Sequence, residues 1–186
     1  MNETIKTIMN RRSIRSFLPE QIKEGELKDI LEAGLYAPSA INEQPWHFTV
    51  IQNKELIERL NVDVKKSCLD CRVKYLEGIV RREGYHIFHH SPTIVIVSGY
   101  EKAGFHETDC AAATENMLLA AESLGIGSCW IGLARFLFGS EKSVDYLKEL
   151  GIPEGFKPLY AVALGYKREK TAAAPPRREN TVRFIK

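Results

Sequence analysis

A chain of 186 residues with 44% hydrophobic content carries enough apolar surface to bury a substantial core as one domain spanning 1–186. Its formal net charge of +2 provides no general basic field, which speaks against nucleic acid as a partner. No apolar run approaches membrane-spanning length and no charged-then-apolar leader opens the chain, so a soluble, cytoplasmic protein without a membrane partner is expected. Four cysteines (Cys68, Cys71, Cys110 and Cys129) do not make a disulfide scaffold at this length and suit a reducing compartment.

In chain order, Ile5, Ile8 and Met9 share one face of a short helix over residues 3–10. Arg11-Arg12-Ser13-Ile14-Arg15-Ser16-Phe17 follows, with Arg11, Ser13 and Arg15 on one face of an extended segment. Such a stretch reads either as a solvated charge run or as an anion site, since the planar guanidinium fork matches a phosphate. Pro19 closes a turn, and Leu27, Ile30, Leu31 and Leu35 mark a helix over 24–36. Residues 36–46 form a loop bracketed by Pro38 and Pro45, leading into a strand over 47–51. Asn53 can cap a helix over 54–61, and a charged, weakly periodic region occupies 62–84.

Pro92 opens the clearest strand, 93–97, whose continuous apolar run suggests burial on both faces. Residues 107–124 are a helix apolar nearly all round, either the centre of the domain or an interface between two chains. Gly125 and Gly127 stop it, 127–132 is strand-like, 141–150 helical and 158–164 a strand. The tail 166–186, with Pro175-Pro176-Arg177-Arg178, has little periodicity and is expected to run extended over a surface. The alternation indicates a mixed α/β domain, and the glycine-rich fingerprints of dinucleotide folds and P-loops are missing from the sequence.

Four pieces stand together in order: Arg11–Phe17, Pro38–Trp46 with Asn42 and Gln44, Leu124–Gly132, and Arg177-Arg178. This set resembles the FMN-dependent nitroreductase family over nearly the whole chain. The resemblance implies an α+β, nitroreductase-like fold with a central mixed or antiparallel sheet flanked by helices. It also implies an intertwined homodimer with two flavin sites at the interface and the tail contacting the partner chain. Arg11, Arg12, Ser13 and Arg15 would hold the FMN phosphate, ribityl chain and pyrimidine edge. Pro38, Ser39, Ala40 and Asn42 would approach from the partner chain, with Gln44 also counted as cofactor-binding; Trp130, Ile131 and Gly132 would face the flavin N5, and Arg177 and Arg178 would complete the phosphate site. Leu133 departs from the family, where many relatives have a second glycine.

The chemistry of these residue types agrees. A phosphate dianion calls for several cations where water is partly excluded, a cation such as Arg15 favours a reduced flavin, and Asn42 offers both donor and acceptor. No nucleophile or acid–base dyad is required, because the cofactor does the bond-making. The implied activity is transfer of hydride from NADH or NADPH to FMN and on to a nitroaromatic, quinone or similar flat acceptor by a ping-pong cycle. The alternatives are a flavin-binding protein without turnover, or a relative performing dehalogenation, azoline oxidation or flavin fragmentation.

Several residues admit a second reading. Cys68-x-x-Cys71 followed by His86, His89 and His90 satisfies the spacing of a zinc site but lacks the apolar pattern of a finger. The simpler reading puts the cysteines one helical turn apart and the histidines on a loop, with no metal site. Asp109 and Glu115 read as solvated or capping groups rather than a catalytic pair, Trp46 and Phe48 as core, and Cys110 and Cys129 as small buried hydrophobes.

Overall fold

Two strands carry the longest apolar runs of the chain, and both lie at the centre of its sheet. In the computed structural model, which describes residues 1–140 and 143–186, β2 (Thr93–Tyr100) pairs with β4 (Phe156–Tyr166). Strand β1 (Trp46–Ile51) flanks β2 and β3 (Ile126–Ile131) flanks β4, giving the order β1-β2-β4-β3 with every pairing antiparallel. The reading of a mixed α/β domain therefore resolves to α+β.

The period of two sorts the strand side chains into two cores. Ile94, Ile96, Ala161, Ala163, Cys129 and Ile131 face one layer, with α3 (Lys54–Asp70), α4 (Lys74–Val80), α6 (Arg135–Phe138) and α7 (Ser143–Glu149). Val95, Val97, Val162, Leu164 and Ile126 face the other, covered by α2 (Glu24–Leu35) and α5 (His106–Ser123). Helix α1 (Glu3–Asn10) lies against α5. Trp46 is buried and Phe48 packs beside it in the second core, as expected, while Cys68, Cys110 and Cys129 are buried small side chains.

The sequence is least legible between β1 and β2. The expected helix over 54–61 runs on to Asp70, because its inward face continues through Asn61, Val64, Ser67 and Cys68, half of it polar. That mixture hides a helical period from hydrophobicity alone. Helix α4 and the short α6 are likewise absent from the sequence reading. The expected helix over 141–150 is present as α7; its first two positions, 141 and 142, lie outside the described residues. Helix α5 is the centre of the fold: sheet covers one side, and α2 and α1 cover much of the rest.

Helices α2 and α5 approach closely at Gly34. A Cβ there would stand 2.9 Å from Met117 Cγ and 3.1 Å from Phe48 Cε2, well inside contact distance. Gly34→Ala is expected to lower stability by about 1–3 kcal/mol through overpacking, outweighing the roughly 1 kcal/mol that alanine gains in helix propensity. Chemical denaturation of the two proteins measures the difference.

Candidate functional site

The Arg11–Phe17 stretch is an added edge to the sheet. Ser13 forms a parallel bridge with Ser128 of β3, and the Ile14 N–H donates to the Ser128 carbonyl at 2.9 Å. Further along, Phe17 bridges Lys167 and the Leu18 N–H donates to the Tyr166 carbonyl at 2.9 Å. The period of two turns Ile14 inward and leaves Ser13 and Arg15 exposed. Close approach needs a bare backbone opposite: a Cβ on Gly127 would stand 3.0 Å from Ile14 Cγ2.

The three arginines do different things. Arg11 Nε lies 3.4 Å from Glu115 Oε1 on α5, which leaves the terminal fork of the guanidinium free. Arg12 turns back and donates through Nη1 to the Met9 and Arg11 carbonyls, both at 2.7 Å, closing the end of α1. Arg15 makes one long contact, Nη1 to the Ser13 carbonyl at 3.4 Å. Burial pushes the Cys129 thiol up, while Arg15, the Ser13 hydroxyl and Arg11 pull it back, so this cationic edge lies against β3. Arg15 also faces Tyr85 and His89 of the loop before β2.

The Pro38–Gln44 loop hangs from the other end of α5. The Ala40 N–H points between both carboxylate oxygens of Asp109, each at 3.3 Å, and Asp109 is only 5% exposed. The Gln44 N–H donates to Ser39 Oγ and its side-chain amide to Asn42 Oδ1, both at 3.0 Å. Ile41, Asn42 and Gln44 have φ of 47°, 60° and 48°. A left-handed β-branched residue is strained, and Ile41 is also 92% exposed, so this turn is held by its anchors and not by its own preference. Pro38, Asn42 and Gln44 are exposed, with Ser39 and Ala40 half-buried.

Asp109 therefore caps a turn, as its residue type suggested, and Glu115 is both 46% exposed and the ion-pair partner of Arg11. Six residues of helix separate them by about 9 Å along the axis and about 120° around it. One helix thus holds Arg11 on one side and the Pro38–Gln44 loop on another.

Strand β3 ends beside these groups. Trp130 packs edge-on against Tyr160 with ring centroids 4.7 Å apart, and Ile131 is buried in the opposite core. Gly132 is exposed, with open space where a Cβ would stand, and begins a 3-10 turn through Ala134. Arg177 and Arg178 are exposed on the extended tail; among the described residues no hydrogen bond or ion pair holds them. Within one chain, then, the fold brings Arg11, Ser13 and Arg15 to the edge of β3, sets the Pro38 loop apart on α5, and leaves the late arginines unengaged.

The loop before β2 is organised by His86, which is 4% exposed. Its Nδ1 accepts the N–H groups of Phe88 at 3.0 Å and His90 at 3.3 Å, bending His89 and His90 into left-handed conformations. Asn61 of α3 accepts the Ile87 N–H at 2.9 Å, and Lys65 donates to the Tyr85 carbonyl. With Nδ1 accepting, the ring proton sits on Nε2, which lies 3.3 Å from Glu58 Oε2 at an angle that forms no hydrogen bond. Glu58, His86 and His90 are the one set of potential metal ligands that converges among the described residues, and neither Cys68 nor Cys71 belongs to it. The C-x-x-C spacing thus does not build a metal cage. Burial pushes the Cys68 thiol up to about 11, Cys71 is exposed at the end of α3, and His86 presents a proton where a ligand needs a lone pair.

The architecture is an α+β sandwich whose sheet edge carries a strip of arginines beside a strained, helix-anchored loop. Residues 8–166 match the Nitroreductase family, and the chain belongs to it. A solved Bacteroides fragilis nitroreductase with bound FMN is similar over all of both chains, at 39% identity and a TM-score of 0.92. An FMN-bound nitroreductase from Desulfitobacterium hafniense also matches over the whole of both chains, at 29% identity and a TM-score of 0.91. The Bacillus subtilis protein named FMN reductase [NAD(P)H] is 30% identical over 94% of this chain and 70% of its own. None of the helices among the described residues is long and apolar enough to cross a membrane.

The histidine loop sets an acid limit. Burial, then the His90 charge, holds His86 down to about 4; burial, then Arg15, does the same to His89. The unfolded chain takes up these protons near the ordinary histidine value of about 6.5, so between that pH and 4 it binds more protons than the folded chain. Stability is therefore complete above about pH 6.5 and falls, on the order of 1–3 kcal/mol, as pH drops towards 4. His86→Asn retains an acceptor for the Phe88 and His90 N–H groups and is expected to flatten that slope in denaturation measured across pH.

Proposed function

We propose that the protein is an FMN-dependent oxidoreductase that takes hydride from NADH or NADPH and passes two electrons to a flat small-molecule acceptor such as a nitroaromatic or quinone. The observation that carries this reading is the pair of anchors on α5. Glu115 holds Arg11 through Nε, and Asp109 holds the Pro38–Gln44 loop on a different side of the helix. Such a helix suits a shared arrangement, in which the loop of one chain completes the site of its partner.

The residues fit FMN. A terminal phosphate matches the free fork of Arg11 together with the Ser13 hydroxyl, and Arg177 and Arg178, without partners among the described residues, are charges that can close on the same anion. Arg15, projecting over β3, supplies the cation for the pyrimidine edge, where negative charge accumulates on reduction. Asn42 offers an amide donor and acceptor to that edge from the partner chain, and open space beside Gly132 leaves room at the N5-facing segment, next to Leu133. Arg12 supports the site by fixing the end of α1.

Bound FMN supplies a carrier that accepts a hydride at N5 and gives up two electrons to the acceptor. The chain binds and orients, and solvent supplies the protons that balance reduction of the acceptor. Donor and acceptor use one face in turn, hence a ping-pong cycle. Apolar surface on α1, where Ile5, Ile8 and Met9 are all close to half exposed, and on the tail at Val182, Phe184 and Ile185, supports a homodimer. The described cysteines are all free, which suits the cytoplasm.

The protein is expected to purify yellow. Anaerobic addition of NADH or NADPH should bleach the flavin band at about 450 nm; a yellow protein that neither donor bleaches would be a binding protein without turnover. Arg11→Ala should weaken FMN by about 2–3 kcal/mol in a direct titration while riboflavin, lacking phosphate, binds wild type and variant almost alike.

The shared site has its own test. Light scattering should give close to twice the 21.1 kDa chain mass. In mixed dimers with Arg11→Ala on one chain and Asn42→Ala on the other, one site carries both lesions and the other neither. About half of the flavin should stay tightly bound, whereas equal loss from both sites would mean that each chain builds its site alone.

A further inference from the structure

We propose that the cleft between α4, α6 and the ends of β3 and β4 receives the electron acceptor, and that Arg135 selects flat aromatic acceptors bearing a negative charge. This rests on the function proposed above, because Gly132 at the rim of the cleft belongs to the segment assigned to the flavin N5.

The cleft has a volume of about 760 Å³, within the range of small-molecule sites. Its walls are aromatic and come from separate elements: Tyr75 from α4, Trp130 and Tyr160 from the sheet, Phe136 from α6. The edge-on Trp130–Tyr160 pair and the exposed Tyr75 ring offer surfaces on which a flat ring can stack. Val73, Leu76, Leu133 and Leu159 complete the lining with aliphatic surface.

Arg135 is the one charged side chain among the described residues that line this cleft. Its guanidinium lies 5.1 Å from the centroid of the Phe136 ring, which holds the planar group at the wall and leaves its donors for another partner. Among the described residues no carboxylate lines the cleft to compete for it. A carboxylate on an aromatic ring would meet a bidentate partner there. The same reasoning gives an uncharged ring only the stacking.

The test compares 4-nitrobenzoate with nitrobenzene as acceptors for the FMN-loaded enzyme. Wild type is expected to favour nitrobenzoate in kcat/KM. Arg135→Gln should lose about ten-fold or more on nitrobenzoate and change less than about two-fold on nitrobenzene, the scale of one charge-assisted hydrogen bond. Arg135→Lys, keeping the charge without the fork, should fall between. In a ping-pong cycle kcat/KM for the acceptor reports only the half-reaction after the donor has left, so a change in flavin bleaching by NAD(P)H leaves the nitrobenzoate-to-nitrobenzene ratio intact. Equal losses on both acceptors, or a wild type indifferent to the carboxylate, would overturn the assignment. Benzoate binding followed by tryptophan fluorescence gives a readout free of turnover: wild type should bind more tightly than Arg135→Gln, and equal binding would also overturn it. Failure of the underlying function appears separately, as a wild type that contains no flavin or does not bleach.

Discussion

A sheet buried on both faces leaves only its edges and ends for chemistry. The two central strands, β2 and β4, are apolar on both sides because helices cover both, and an antiparallel sheet in that position has no solvated face to carry function. Everything proposed for the site follows from this constraint. The cations run along the outer edge of β3, the segment assigned to N5 sits at its end, and the aromatic cleft opens beyond that end.

Helix α5 converts that constraint into a division of labour. It packs against the sheet, α2 and α1, and from it Asp109 accepts the Ala40 N–H while Glu115 pairs with Arg11. Asp109 fixes a turn that its sequence alone would not adopt, and Glu115 occupies the Nε side of an arginine whose fork is then presented outward. Strain in the loop and repulsion among the arginines are both offset by groups on one rigid element.

Much of this was legible in the sequence. The Arg11–Phe17 stretch, the proline-bracketed loop and the buried strand 93–97 are local patterns, and local patterns survive in a single sequence. What was hidden depends on distant contacts. The Arg11–Glu115 pair joins residues far apart in sequence, Arg12 looks like its neighbours until it turns back on α1, and α3 is masked beyond residue 61 because its buried face includes Ser67 and Asn61, which holds the loop before β2. The histidines were expected on a loop, and what the sequence could not show is that His86 spends its lone pair on two backbone N–H groups there.

The added edge at Ser13–Leu18 has a consequence for solubility. With Ile14 and Leu18 bonded to Ser128 and Tyr166, residues 13–18 occupy backbone groups that β3 and β4 would otherwise offer to another chain. Peeling the N-terminal segment away would bare a strand containing Cys129, Trp130 and Ile131, an open template for intermolecular pairing. The ribbon proposed to grip the cofactor is also a guard against aggregation, so a chain that loses the one loses the other.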